Sequence, residues 1–146
     1  MKKLSLFITI FAGLALLFSA CKKTEENPQQ VVQSQILGKW PLKYRVRTVT
    51  TNRFTVKLDT TIYNPVDTMI FADDGTASIK RNSTIISTST YAIDATGENI
   101  TFTGTTTTTQ KFTFVRPTSI GLFISDNTTN VSGNEVRTQI EDQLVK

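Results

Sequence analysis

The stretch Trp40-Pro41-Leu42-Lys43-Tyr44-Arg45-Val46-Arg47 places large apolar side chains at even positions and basic ones at 43, 45 and 47. An apolar residue at every second position indicates a β-strand with one buried face. The stretch from Phe54 to Ile62 has the same period, and Thr50-Thr51-Asn52 between the two is typical of a turn. The two stretches therefore predict a β-hairpin.

Further short strands are predicted downstream, separated by turn residues. Asp73-Asp74-Gly75 is typical of a tight turn, because Asp-Gly readily supplies positive φ angles, and Asn82-Ser83 predicts another. The threonine run 105–109 favours extended backbone through β-branching, and Asp126–Asn134 predicts a polar loop. This pattern predicts an all-β domain, either a barrel or a β-sandwich. The six further strands are expected at Asp67–Phe71, Thr76–Arg81 and Ile85–Ile93 and around Phe102, Phe114 and Leu122.

The C-terminal segment, Glu135–Lys146, allows two interpretations. Val136, Thr138 and Ile140 at every second position fit a strand, whereas Val136, Ile140 and Leu144 at every fourth position fit a helix. We favour a strand that closes the sheet.

The N-terminus has the plan of a secretory signal peptide. The basic pair Lys2-Lys3 precedes the apolar run Leu4–Phe18, which is shorter than the roughly 20 residues of a membrane-spanning helix. The small residues of Ser19-Ala20-Cys21 follow, and this cysteine is the only one in the chain. A lone cysteine cannot form an internal disulfide, so it is expected to be a free thiol or to be modified.

Leu17-Phe18-Ser19-Ala20-Cys21 resembles the lipobox of bacterial lipoproteins, although Phe18 stands where leucine is usual. The resemblance implies cleavage before Cys21, a diacylglyceryl thioether on its sulfur and an acyl chain such as palmitate on its amine. Several chains together hold a protein stably at a membrane. The implied location is the cell envelope, at the outer membrane of a Gram-negative bacterium. Lys23 and Glu25-Glu26 resemble an export signal of such proteins, or form an ordinary solvated linker.

Three segments follow from these patterns. Residues 1–20 are predicted to be the signal peptide, residues 21–34 a flexible tether and residues 35–146 a single β domain. The tether is predicted because Lys22–Ser34 is almost entirely polar and cannot pack a core. One short helical turn is expected at Val32–Leu37, just before the first strand.

Four short stretches follow one another along the chain in a characteristic order. They are Ile36-Leu37-Gly38-Lys39-Trp40, Phe71-Ala72-Asp73-Asp74-Gly75-Thr76, Ser89-Thr90-Tyr91-Ala92-Ile93 and Asn99-Ile100-Thr101-Phe102. The order is similar to that of small lipocalin-like lipoproteins of Gram-negative bacteria, over roughly residues 36–125, with the Gly38-x-Trp40 motif of calycins. The resemblance implies an eight-stranded up-and-down barrel that Trp40 closes at one end. It also implies an arginine packed across Trp40, for which Arg116 and Arg137 are the candidates.

The composition excludes several kinds of catalytic site. The chain has no histidine, and no cysteine follows Cys21. Ser-His-Asp and Cys-His catalysis and ordinary zinc sites are therefore excluded. We expect no enzyme, no catalytic residue, no cofactor and no metal. The net charge is +4, and Lys2-Lys3 belongs to the predicted signal peptide, so no nucleic-acid partner is expected either.

Two groups of charged residues are candidate sites with an ordinary alternative. The pair Asp73-Asp74 could bind a metal or act as acid and base, but turn formation beside Gly75 is favoured. A basic surface on the first hairpin could meet anionic lipid or an acidic protein, or could only protect a sheet edge from other strands. Its expected members, on one outer face, are Lys43, Arg45, Arg47, Arg53 and Lys57.

Large aromatic side chains are expected to face inward. They either line a site for a small apolar ligand or fill the core, and an eight-stranded barrel is wide enough for either. We predict a mostly filled interior with at most a shallow apolar mouth at the end away from Trp40. The expected function is therefore that of a lipid-anchored, non-catalytic protein with a surface-interaction or structural role, and the alternative is a carrier of a small hydrophobic molecule. The possible lining residues are Tyr44, Phe54, Phe71, Phe102, Phe112 and Phe114.

Overall fold

The computed structural model describes residues 27–146, and this part of the chain folds into one helix and nine β-strands. The predicted all-β class is confirmed, and the C-terminal segment is a strand. The elements are α1 (Pro28–Ile36), β1 (Gly38–Thr51), β2 (Phe54–Ile62), β3 (Thr68–Phe71), β4 (Thr76–Arg81), β5 (Thr84–Ile93), β6 (Asn99–Thr103), β7 (Thr107–Arg116), β8 (Ser119–Val131) and β9 (Asn134–Val145).

The strands form one antiparallel sheet that closes on itself. From β3 to β9 each strand pairs with the next, and β1 closes the ring by pairing with both β3 and β9. The ring is therefore made of eight strands and is barrel-like. The ninth strand, β2, pairs along Tyr44–Thr51 of β1 and, within residues 27–146, with no other strand.

The core lies inside the ring at the end covered by α1. Trp40, Ile36, Ile100 and Ile120 are fully buried there. The indole Nε1–H of Trp40 donates to the carbonyl of Ile36, which ties the first strand to the helix. The other buried apolar residues are Phe71, Ala77, Tyr91, Ile93, Phe112, Leu122 and Leu144.

Helix α1 begins inside the segment predicted to be a tether. Asn27 caps it by accepting a 3.0 Å hydrogen bond from the backbone N–H of Gln29, and Pro28 occupies the first turn, where a missing N–H does no harm. Val32 packs against the core. The prediction of a flexible tether is therefore wrong for residues 28–34, because the helix is held by the buried Ile36 and by a 2.6 Å hydrogen bond from the Gln29 side chain to the carbonyl of Ile93. Residues 21–26 lie outside the described part of the chain.

The predicted turns at Asp73-Asp74-Gly75 and Asn82-Ser83 are confirmed. Gly75 has a φ of +81°, and Asn82 and Ser83 have φ angles of +45° and +73°. The loop predicted at Asp126–Asn134 is wrong, since β8 continues to Val131 and turns only at Ser132-Gly133. The distal halves of β8 and β9 pair with each other and are largely exposed, so they need no apolar residues. Asp126 of β8 forms an ion pair with Arg137 of β9.

β-Bulges reverse the side on which several side chains lie. Between Leu42 and Tyr44 the pairing of β1 with β9 shifts. Arg45, not Tyr44, is then opposite Asp142 of β9, which is opposite the buried Leu122 of β8. Directly opposite residues share a face, so the inner side of β1 passes from even to odd positions at this bulge.

A second bulge, between Phe112 and Phe114, acts in the same way on β7. Phe112 is buried in the core, whereas Phe114 is opposite Gly121. Gly121 stands between the buried residues Ile120 and Leu122 on β8 and therefore belongs to the outer face. Phe114 thus packs on the outside of the ring.

Candidate functional site

A cavity of about 290 Å3 lies inside the ring of strands, beside the β6–β7 turn at Gly104–Thr106. Helix α1 approaches the sheet at the β5–β6 turn, where Gly97 lies against Pro28 and Val32. These two turns are at opposite ends of β6, so the cavity lies at the end of the ring away from α1.

Of the twelve residues that line this cavity, six carry a hydroxyl group and four are apolar. No ionisable side chain contributes to it, so it suits a neutral or apolar molecule. Its volume is at the lower limit of ligand pockets, which span roughly 300–1,000 Å3. The apolar lining residues are Met69, Ala77, Ile79 and Phe102, and the polar ones include Ser87, Ser89, Thr106 and Gln110.

Asp142 is a buried carboxylate that accepts hydrogen bonds from two side chains. It accepts hydrogen bonds of 2.7 and 2.8 Å from the guanidinium of Arg45, and one of 3.1 Å from the hydroxyl of Tyr63. The hydrogen bond to Asp142 raises the pKa of Arg45. Burial, followed by the negative charge of Asp142, raises the pKa of Tyr63. The cluster joins β1, β9 and the end of β2, and its geometry is that of a structural ion pair.

The predicted lining residues divide into two groups. Phe71, Phe102 and Phe112 lie in the interior, and Phe102 also lines the cavity. The ring of Phe71 packs edge to face on Tyr91 at 5.2 Å between centroids.

The other three expected lining residues lie elsewhere, and the expectation for them is wrong. Phe54 is 77% exposed on β2. Tyr44 is opposite Ile62 and Gln143, on the side of β1 away from Arg45. Phe114 covers Gly121 on the outer face. Bulges account for Tyr44 and Phe114, whereas Phe54 lies on a strand that extends beyond the ring.

The Gly38-x-Trp40 motif stands at the α1 end of the core. Gly38 has a φ of +108°, in the region that favours glycine. The ammonium of Lys146, and not an arginine, lies 3.9 Å from the centroid of the Trp40 ring. Arg116 lies over Phe114 and Arg137 pairs with Asp126, so neither candidate arginine packs on the tryptophan.

The basic surface expected on the first hairpin does not form. Arg45 is directed to the buried Asp142, and Arg47 and Lys57 both contact Asp59, at 3.4 and 3.0 Å. Arg53 lies in the β1–β2 turn with a φ of +71°. Two carboxylates thus pair with three of the five basic side chains, and the bulge in β1 removes Arg45 from the outer face. Lys43 stands at that bulge.

Asp73 and Asp74 serve the turn. The Asp74 carboxylate accepts a 2.8 Å hydrogen bond from the backbone N–H of Thr76, and its contacts with Thr76 lower the pKa of Asp74. Within residues 27–146, no group of three acidic, histidine or cysteine side chains is arranged to hold a metal ion. The predicted lipidation site, Cys21, lies outside the described residues.

The feature that the sequence did not indicate is the exposed edge strand β2. Four large apolar side chains on it stand in solvent, and β2 pairs within the described chain only with β1. Alternation along Phe54–Ile62 indicated a buried face, because the pattern cannot tell whether another layer covers that face. The four are Phe54, Val56, Leu58 and Ile62, exposed by 77%, 61%, 64% and 70%.

No protein-family model matches this chain, and no curated protein matches it. In the described part of the chain, α1 is too short and too polar to cross a membrane, and there is no other helix.

Proposed function

We propose that this chain is a lipid-anchored protein of the bacterial cell envelope, and that its β domain is non-catalytic and acts through its outer surface. The observation that carries the surface role is the concentration of exposed apolar side chains on β2. Leu58 and Ile62 share one face of this strand, and exposed apolar side chains that cluster on a folded domain mark sites of interaction. The anchor is supported by the apolar run before Ser19-Ala20-Cys21 and by the similarity of that stretch to a lipobox.

The titratable groups support a non-catalytic role. The buried carboxylate of Asp142 is occupied by structural partners, the guanidinium of Arg45 and the hydroxyl of Tyr63. The cavity carries hydroxyl groups with no ionisable side chain beside them to activate a nucleophile. The chain has no histidine that could do so.

The anchor is tested by replacing Cys21 with alanine in the full chain. We expect the wild-type protein in the membrane fraction and the Cys21→Ala protein in the soluble fraction, because the lipid is attached to the cysteine sulfur. Ser34→Ala, a change beyond the anchor, serves as the control and should stay with the membrane. A Cys21→Ala protein that is processed and still sediments with membranes would disprove the anchor.

A carrier of a small apolar molecule is the second candidate, and the cavity of about 290 Å3 favours it. Titration of a fluorescent fatty-acid analogue into the Cys21→Ala protein tests this function. A carrier should bind one molecule saturably and lose it in Ser87→Phe, whose new ring fills the cavity. Thr90→Phe, on the same strand but outside the lining, should still bind. Absence of saturable binding by the folded protein rules the carrier out.

A further inference from the structure

The edge strand β2 has the properties of a surface that adds another strand. It is nine residues long and contains no proline, and its side away from β1 is unpaired within the described chain. A long exposed edge with apolar side chains is a template for strand addition, because its outward N–H and C=O groups lack a β ladder.

The sequence of β2 is complementary to itself in the antiparallel sense. Leu58 stands at the centre, with Lys57 on one side and Asp59 on the other. In an antiparallel pair of two β2 strands centred on Leu58, Lys57 of each copy is opposite Asp59 of the other. Leu58 then meets Leu58 on one face of the pair. Opposite charges and apolar pairs placed in this way stabilise strand pairing.

The same charges oppose other registers. A slip of two residues, which keeps the side chains on their faces, puts Lys57 opposite Lys57 or Asp59 opposite Asp59. A slip of one residue exchanges the two faces. Lys57 and Asp59 together thus favour the register centred on Leu58 over the registers shifted by two residues. Lys57 without Asp59 would only block the edge against any added strand.

We propose that β2 pairs antiparallel with β2 of a second copy of this chain, and that the two-fold axis passes through Leu58. The strand is suited to this at its centre, because Lys57 to Ile62 pair regularly with β1 and the β2 bulge lies at Val56. Lys57 already lies 3.0 Å from Asp59 of its own chain, and both side chains are partly exposed. The second copy therefore extends an existing ion pair and does not bury a new charge.

Pairing through one edge strand buries a small interface, and a membrane would strengthen it. Two chains held on one surface meet at a high effective concentration. Only the strengthening by the membrane rests on the proposed lipid anchor. The register of the pair, and the choice of a second copy as the partner, rest on the sequence of β2.

Disulfide cross-linking of the full chain in its membranes tests the pairing. Leu58→Cys places a thiol on the two-fold axis, where opposite Cα atoms are about 4.5–5.5 Å apart and can be bridged. We expect mild oxidation to convert most of this variant into a covalent dimer of the chain. Ile62→Cys is the matched control on the same strand, since its two copies lie about 27 Å apart and should not be joined. The two sites are similarly exposed, by 64% and 70%.

A charge reversal on the Leu58→Cys background supplies the second arm. Lys57→Asp places like charges opposite each other at two points and should lower the covalent dimer about fivefold. Lys111→Asp, on β7, should leave it unchanged. Equal cross-linking through positions 58 and 62, or an adduct of Leu58→Cys with a protein of another mass, would overturn the proposal. If the wild-type protein forms a disulfide dimer through Cys21, that cysteine is a free thiol and the lipid anchor is contradicted. The pairing of β2 would then be tested with the double variant Leu58→Cys, Cys21→Ala.

Discussion

Replacing Gly121 with alanine tests the bulge that moves Phe114 out of the ring. An alanine Cβ at this position would lie 2.6 Å from a ring carbon of Phe114 and closer still to the Thr113 hydroxyl. Atoms do not approach so closely, so both the Thr113 hydroxyl and the Phe114 ring must move. Overpacking of this kind costs about 1–3 kcal/mol. Alanine regains about 0.5–1 kcal/mol over glycine within a strand. We therefore expect a net loss of about 1 kcal/mol in the free energy of unfolding, within limits of about 0 and 2.5 kcal/mol.

The assay is urea unfolding followed by the fluorescence of Trp40, the only tryptophan and fully buried. Gly104→Ala is the matched control, because its new Cβ would meet nothing closer than 3.5 Å. That variant should match the wild type or exceed it by up to about 1 kcal/mol. Combining Gly121→Ala with Phe114→Leu should recover about 1 kcal/mol relative to the sum of the single changes. Equal stability of the two alanine variants would refute the packing of Phe114 over Gly121.

Three further predictions concern stability. Asp142→Asn should lower the free energy of unfolding by about 2–3 kcal/mol, because it leaves the half-exposed Arg45 without its carboxylate, and urea titration measures this loss. Hydrogen bonds, chiefly from the Asn99 side chain, lower the pKa of Asp94 from 3.8 to about 2. The stability from Asp94 is thus present above about pH 4 and lost as the pH falls towards 2, and Asp94→Asn should reduce the slope of stability against pH in that window. Trp40→Ala should cost about 3–5 kcal/mol, and native Trp40 emission should be blue-shifted, whereas red-shifted emission would show it exposed.

Local patterns predicted the features that depend on neighbours in sequence. Period-two alternation gave the strand class, and the Asp-Gly and Asn-Ser pairs gave two turns, because a residue with positive φ restricts the backbone by itself. The burial of Trp40 also followed from its place in the first strand. The capping pair Asn27-Pro28 was a usable indication of α1, but the polar composition that follows favoured a tether.

The bulges could not be predicted, since they depend on register between strands that are far apart in sequence. One extra residue in β1 places Arg45, and not Tyr44, beside Asp142, and one in β7 moves Phe114 outside. The ion pair of Arg45 with Asp142 joins residues 97 positions apart. Lys146 over Trp40 is equally remote. The exposed state of β2 depends on the absence of a covering layer among residues 27–146, which the strand's own pattern does not encode.

Hydrogen exchange of the β2 amides in the membrane-bound protein tests most directly whether this strand is the functional surface. About half of these amides point away from β1 in a paired edge strand. In the wild-type protein on its membrane, a peptide covering Phe54–Ile62 should exchange more slowly than in dilute Cys21→Ala protein. The β8–β9 turn at Ser132-Gly133 should exchange alike in both. Equal exchange of β2 in the two forms would contradict a surface role for this edge.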